Sequence, residues 1–245
     1  TAAKGSAITL PSGQVAEKAF RGISTKQAEL ISSQIRIGIT EGESIPKIAK
    51  RLRGRLQFGA NQEMTAKAQR LAGGEGMKLA NNQVMTIVRT SVNQVQNSVN
   101  QETYAANRDV TQRYEYVATL DSRTSAICGS LDGRIFKYGE GPMPPQHFNC
   151  RSTTVPIIDD DDLRRRFPDT RPSATGRVPQ GMNYATWLKD NPSIQTDALG
   201  NKKKFFNYLI DKKRKSPREA LRLIIKDDGT ELTLKKLAEK YPNAT

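Results

Sequence analysis

The stretch Tyr114–Pro156 reads YEYVATLDSRTSAICGSLDGRIFKYGEGPMPPQHFNCRSTTVP. It contains both cysteines of the chain, Cys128 and Cys150, and its only histidine, His147. Glycine and proline are frequent in it, which predicts many turns. Because the residues best able to bind a metal or take part in chemistry are gathered here, we treat this stretch as the central module of the fold.

The local patterns of the central module predict short strands joined by turns. Residues Tyr114–Leu120 alternate and are rich in β-forming side chains, which predicts a strand. The pair Asp132-Gly133 is typical of a hairpin turn in which the glycine takes a positive φ. An irregular loop is predicted over Gly139–Pro145 and a last strand over Thr153–Ile158. We therefore expect a small mixed-strand sheet.

Helical patterns flank this module on both sides, so we predict an α+β fold with helical N-terminal and C-terminal regions. On the N-terminal side, Ser24 is a predicted helix cap, and Met77–Ala106 carries valines at three- and four-residue spacing. On the C-terminal side, Trp187 is expected to anchor a helix in a core, and Ser216 and Thr233 are predicted caps.

The same patterns divide the chain into three regions. Residues 1–76 are predicted to form an N-terminal arm, short helices and a mobile loop. Residues 77–158 are predicted to hold the long helix and the central module. Residues 159–245 are predicted to form a linker, rich in Pro and Gly over residues 168–181, and a basic helical C-terminal region.

The chain carries a formal net charge of +14, and the excess lies outside the central module. Residues 1–100 contain 14 Lys/Arg and 6 Asp/Glu, residues 101–158 contain 6 of each, and residues 159–245 contain 19 and 13. This charge favours an anionic partner, either DNA or an acidic protein surface. The expected contacts with such a partner are Lys202, Lys203, Lys204, Lys212, Lys213, Arg214 and Lys215.

Composition argues against two other classes of protein. Two cysteines are too few for a disulfide-rich secreted scaffold, so we expect folding in a reducing cytoplasm. No stretch approaches the roughly 20 consecutive apolar residues of a membrane helix, so we expect no membrane partner.

Cys128, His147 and Cys150 have side chains that bind zinc, with Asp121 in the same module as a possible fourth ligand. The Cys-x2-Cys pair of many zinc sites is missing, because Ser125 stands where its first cysteine would be. The alternative is a structural role in which packing and hydrogen bonds of His147 brace the loop. We expect the three residues to come together in either case, and we predict no cofactor, with zinc as the open alternative.

A catalytic role for the same residues is disfavoured. Cys128 and His147 are a possible nucleophile and base, but no oxyanion loop accompanies them, and we predict no enzyme site. Asp121 and Arg123 are expected to form a turn with a buried, charge-assisted pair.

The ordered motifs of the module resemble the signature of the Mu F-like phage head morphogenesis proteins. The resemblance extends upstream to Arg89-Thr90 and downstream to Trp187-Leu188-Lys189. Many relatives have cysteines where this chain has Ser125 and Ser152, and this difference weakens the case for zinc. The residues that match the motifs are Asp121, Arg123, Thr124, Cys128, Asp132, Gly133, Pro145, His147, Asn149, Cys150 and Arg151.

The resemblance implies a minor capsid protein of a tailed phage that acts in head morphogenesis or genome delivery. It implies the portal protein and packaged DNA as partners, and the major capsid or scaffolding protein as further candidates. The expected location is the capsid interior near the portal, after assembly in the host bacterial cytoplasm. Because relatives fuse the module to toxin domains, the alternative is an injected effector enzyme, such as a nuclease or an ADP-ribosyltransferase.

Overall fold

The computed structural model describes residues 25–58, 81–158, 169–227 and 229–244. Helices and small antiparallel sheets alternate along these residues, which confirms the predicted α+β class. The chain forms two compact units, Thr1–Gln96 with His147–Cys150, and Asn97–Gln146 with Arg151–Thr245. The predicted arm, the Ser24 cap and the loop before Met77 lie outside the described residues.

Among its described residues, the first unit contains α1 (Thr25–Thr40), α2 (Ile45–Phe58) and the N-terminal part of α3 (Asn81–Ala106). Their buried apolar residues recur every three or four positions, so each helix presents one apolar stripe to a shared core. The members of this core are Ile31, Ile35, Ile48, Ala49, Leu52, Val84, Ile87 and Val88.

The valine stripe predicted along α3 is only half correct. Val84 and Val88 are buried, but Val99 is 58% exposed. Among the described residues, the core of the first unit contains no residue of this helix beyond Val92, so Val99 has no apolar partners in that core. In the C-terminal half of α3 the buried position is Asn97, whose Nδ2 donates to the backbone oxygen of Ser152 over 3.5 Å.

The central module forms a three-stranded antiparallel sheet of β1 (Thr111–Val117), β2 (Arg134–Lys137) and β3 (Thr153–Ile158), with β1 in the middle. Alternate residues of β1, Tyr114 and Tyr116, are buried. The observed strand begins and ends three residues earlier than the strand predicted over residues 114–120. The backbone hydrogen-bond ladder of β1 ends at Val117, because the backbone groups of Ala118 bond to side chains and not to a neighbouring strand. The Ala118 N–H donates to Asp132 Oδ1 over 2.6 Å.

A short helix, α4 (Ala126–Leu131), was not predicted, and it replaces one strand of the expected hairpin. Ser125 caps it by accepting a hydrogen bond from the backbone N–H of Cys128 over 3.4 Å. Gly133 then turns the chain into β2 with φ of 73°. The predicted positive φ is confirmed, but the hairpin interpretation is wrong, because Asp132-Gly133 ends a helix and does not join two strands.

The described part of the predicted linker is a β-hairpin of β4 (Thr170–Ser173) and β5 (Gly176–Pro179). The linker interpretation is wrong here because it rested on composition, and Gly176 serves the tight turn with φ of 115°. The acidic and basic run before the hairpin, residues 159–166, lies outside the described residues.

The rest of the second unit is helical and encloses its main core. Trp187 is buried, as predicted, and its Nε1 donates to Thr175 Oγ1 over 3.1 Å. Ser216 and Thr233 cap their helices as predicted, and Ser216 forms a full capping box with Glu219. The helices are α5 (Tyr184–Asp190), α6 (Pro192–Leu199), α7 (Lys203–Asp211), α8 (Pro217–Leu223) and α9 (Leu234–Lys240), with 3₁₀ turns at Gly200–Lys202 and Pro242–Ala244.

A buried ion pair between Asp132 and Arg171 joins these elements. Asp132 is fully buried, and its carboxylate accepts hydrogen bonds from the N–H groups of Ala118 and Tyr184 over 2.6 and 2.7 Å. Arg171 Nη1 lies 3.1 Å from Asp132 Oδ2. Burial raises the pKa of Asp132, and Arg171 together with the Ala118 and Tyr184 N–H groups opposes this rise.

None of the helices in the described ranges is both long enough and apolar enough to cross a membrane.

Replacing Gly133 by valine should destabilise the second unit by about 1–3 kcal/mol, because its φ is unfavourable for a residue with a Cβ atom. A Cβ here would also lie 3.2 Å from Arg218 Nη2. Chemical denaturation measures the change. Gly181→Val is the matched control, since a Cβ at Gly181 meets no heavy atom within 4 Å. Equal stability of the two variants would contradict this account of the turn.

Replacing Arg171 by leucine should lower the free energy of unfolding by about 3–5 kcal/mol, because it leaves a buried carboxylate without its countercharge. Arg177→Leu, on the exposed side of the same hairpin, should cost far less. In a double-mutant cycle, Asp132→Asn should cost less in the Arg171→Leu background than in the wild type. Additive effects would show that the two side chains are not coupled.

Candidate functional site

Cys128 lies in the middle of α4 and is 1% exposed. Its Sγ is 3.2 Å from the hydroxyl of Tyr116 on β1. The Ser125 cap fixes the start of the short helix and therefore the direction in which this thiol is held. The position of Cys128 is thus set by local structure in the central module.

The second motif forms a four-residue turn, His147–Cys150. The N–H of Cys150 donates to the backbone oxygen of His147 over 3.2 Å, and His147 Nδ1 lies 2.8 Å from the backbone oxygen of Phe148. Asn149 takes a left-handed conformation with φ of 56°. This turn presents His147 and Cys150 on one short segment, with Cys150 buried and His147 partly exposed.

Asn149 also contacts α3 within the first unit. Its backbone N–H donates to Thr90 Oγ1 over 3.0 Å, and its Nδ2 donates to Thr86 Oγ1 over 3.1 Å. These bonds join the Arg89-Thr90 motif to the Asn-Cys-Arg motif, which lies 59 residues further along the chain. Both motifs can be recognised in the sequence, but no sequence pattern indicates that they contact each other.

Cys128 belongs to the second unit, whereas His147 and Cys150 belong to the first. The expectation that the three residues come together therefore stays a prediction.

Asp121, the predicted fourth zinc ligand, forms an ion pair with Arg151. Arg151 binds its two carboxylate oxygens with Nη1 and Nη2 over 2.6 and 2.7 Å. The hydrogen bond from Arg151 lowers the pKa of Asp121. The expected turn forms, since the Arg123 N–H donates to Asp121 Oδ1 over 3.0 Å. The expected ion pair also forms, with Arg123 Nη2 3.7 Å from Asp121 Oδ2, but it is not buried, because the Arg123 side chain is 79% exposed. The closer partner, Arg151, lies 30 residues further along the chain, where local sequence could not reveal it.

The other motif residues are structural. Thr124 Oγ1 donates to the backbone oxygen of Thr119 over 2.5 Å, and the backbone oxygen of Thr124 accepts from the Tyr184 hydroxyl over 3.3 Å. Pro145 is buried in the loop before His147. Together with Asp132 and Gly133, these residues hold the loops of the central module.

The seven predicted cationic contacts fall into two groups. Lys202 pairs with Glu231, Lys203 Nζ donates to Thr196 Oγ1 over 2.8 Å, and Lys204 lies over the ring of Phe205. Lys212, Lys213, Arg214 and Lys215 form an exposed turn directly after α7, which we call the 212–215 turn. None of these four forms an ion pair with a residue that the structure describes.

Comparison with known proteins identifies the family. The chain matches the family model described as phage Mu protein F like protein over residues 29–155. This match covers more than half of the chain, and it includes α3 and both motifs of the central module. The chain belongs to the phage Mu protein F like family, and the resemblance inferred from the motifs is confirmed.

One curated relative is an uncharacterized protein of Haemophilus influenzae, 28% identical over 90 residues. The alignment covers 35% of this chain and 19% of that protein, so the chain matches only a small part of its relative. No solved structure matches the chain significantly.

Replacing Asp121 by asparagine should lower the free energy of unfolding by roughly 1 kcal/mol at neutral pH. Because the folded-state pKa of Asp121 is lowered, this stabilisation is fully present above about pH 4, the usual range of an aspartate, and is lost as the pH falls through the folded-state value. Denaturation at a series of pH values measures it. Asp190→Asn, at an exposed position, is the control, and a pH-independent difference would contradict the role of Arg151.

Proposed function

We propose that this protein is a minor capsid protein of a tailed phage that acts in head morphogenesis or genome delivery. Its membership of the phage Mu protein F like family carries this proposal. The portal protein and the packaged DNA are its partners, and the capsid interior near the portal is its place in the virion. The major capsid or scaffolding protein is a further candidate partner during assembly.

The charge distribution supports a polyanionic partner. The region 101–158 has no net charge, whereas the regions before and after it carry +8 and +6. A neutral folded module with cationic regions on both sides suits a protein that is held in place by its fold and binds DNA by its flanks.

The 212–215 turn is the surface best suited to this contact. Its four side chains are exposed, consecutive in sequence and all cationic. Arg214 takes a left-handed conformation with φ of 54°, so the chain changes direction within the turn. Cationic side chains on a turn bind phosphates without reading bases, and such contacts are independent of sequence.

A structural role, and not catalysis, fits the burial of the thiol. Cys128 is the candidate nucleophile of the chain, and it is 1% exposed. A substrate would have to displace the residues that bury it to reach its sulfur. This arrangement supports the assignment as a structural protein over the effector enzyme.

Binding to duplex DNA should weaken steeply with salt, because cationic contacts release counterions from the phosphates. Substituting glutamine at all four positions of the 212–215 turn should reduce the slope of log affinity against log salt by about 3 to 4, at roughly 0.9 for each phosphate that is no longer neutralised. Fluorescence anisotropy with two unrelated duplexes measures both slope and sequence preference.

The control removes the same charge elsewhere, by glutamine at the exposed residues Lys189, Lys235, Lys236 and Lys240. This control variant should reduce the salt slope less than glutamine at the four positions of the 212–215 turn. Equal slopes for the two variants, or tight binding to only one duplex, would contradict the assignment of the 212–215 turn.

The structural and enzymatic functions are separated by two assays on the full chain. The structural function predicts that the chain copurifies with portal rings and leaves DNA and RNA intact. Cleavage of either nucleic acid, with no retention on portal rings, would favour the effector enzyme.

A further inference from the structure

We propose that a surface cavity between α7 and α9 docks an acidic segment of a partner protein, with an apolar side chain of that segment seated in the cavity. The cavity has a volume of about 360 Å³ and lies wholly within the second unit. It lies outside residues 29–155, which match the family model, and outside the 212–215 turn. Its lining consists of Asn201, Lys204, Phe205, Leu234, Lys235 and Ala238.

The floor of this α7–α9 cavity is apolar. Phe205 is 1% exposed and belongs to the core of the second unit, while Leu234 is 41% exposed. Leu234 and Ala238 are four residues apart on α9, so they lie on one face of that helix. A single exposed leucine is ordinary on a protein surface, but this one lies in a concavity beside other apolar atoms. An apolar side chain that covers it removes apolar surface from water, which stabilises the complex.

Two lysines from different helices add positive charge to this floor. Lys204 Nζ lies 5.2 Å from the centre of the Phe205 ring, so its ammonium group is next to the apolar floor. Lys202 is paired with Glu231, whereas neither Lys204 nor Lys235 has an acidic partner among the described residues. The described lining contains no acidic side chain either. The cavity therefore favours a ligand that is both negatively charged and apolar.

The shape of the cavity favours a peptide segment over a small molecule. Asn201, Lys204, Leu234 and Lys235 are exposed, so the cavity is open to solvent. A small-molecule site encloses most of its ligand, and this cavity does not. A peptide seats one side chain in it and continues along the surface. The amide of Asn201 can both donate to and accept from a peptide backbone.

Duplex DNA does not suit this lining. DNA presents phosphates and sugars on its outer surface, and an apolar side chain such as Leu234 gains nothing from contact with phosphate. The α7–α9 cavity and the 212–215 turn therefore take different partners. The inference rests on the lining of the cavity alone and its test needs no capsid component, so its failure and the failure of the proposed function are distinguishable.

The test measures binding of a fluorescent peptide, two leucines flanked by glutamates on both sides, to the full chain by fluorescence anisotropy. We expect saturable binding. Two matched peptides separate the contributions: one has serine in place of the leucines, and the other has glutamine in place of the glutamates. Each should bind about tenfold more weakly, because each lacks one of the two properties that the lining favours.

Variants of the chain locate the binding site. Leu234→Ser should weaken binding of the leucine peptide about tenfold, because it removes the exposed apolar surface. It should change the affinity for the serine peptide little, since that peptide has no apolar side chain to lose contact with it. Lys204→Ala combined with Lys235→Ala should weaken binding of the leucine peptide about fivefold. These positions are exposed, and circular dichroism confirms that the variants fold.

The matched control is Lys236→Ala, at the exposed residue that follows Lys235 on α9 and does not line the cavity. It should bind the leucine peptide as the wild type does. Failure of the leucine peptide to bind saturably at millimolar concentration, or equal affinity for all three peptides, would overturn the proposal. Loss of binding on glutamine substitution of the 212–215 turn would also overturn it, because the peptide would then be bound at that turn.

Discussion

The second unit depends on the carboxylate of Asp132, which is removed from water and held by one guanidinium and two backbone N–H groups. Each contact comes from a different element. Arg171 belongs to the hairpin, Ala118 follows the central strand and Tyr184 begins α5, while Arg218 of α8 donates to the Asp132 backbone oxygen over 2.9 Å. A charge buried in this way is tolerated only when these partners are in place, so the ion pair requires the four elements to assemble together.

The buried ion pair also explains the role of the Asp132-Gly133 motif. In sequence, Asp132-Gly133 has the composition of a hairpin turn. In the structure the aspartate is the central acceptor of the second unit, and the glycine allows the chain to leave α4 and enter β2 with a positive φ. Gly133 N–H also donates to the backbone oxygen of Tyr116 over 2.8 Å, which joins this turn to the central strand.

What the sequence predicted well was local. The caps at Ser216 and Thr233, the positive φ of Gly133 and the last strand each depend on residues within a few positions of one another. The parts it missed depend on distant partners: Arg171 meets Asp132 over 39 residues, and Arg151 meets Asp121 over 30. Helix α4 was missed because six residues carry little periodicity.

The neutral central module and the charged regions on either side of it differ in composition. The motif residues Asp121, Asp132 and Arg151 form ion pairs within the second unit, and the exposed cations of the 212–215 turn lie outside these motifs. Our central claim is that this arrangement serves a protein of the phage head. A cryo-EM map of assembled heads tests it most directly. The account predicts density for this fold inside the capsid beside the portal, whereas heads that lack the protein, or carry it only on their outer surface, would contradict it.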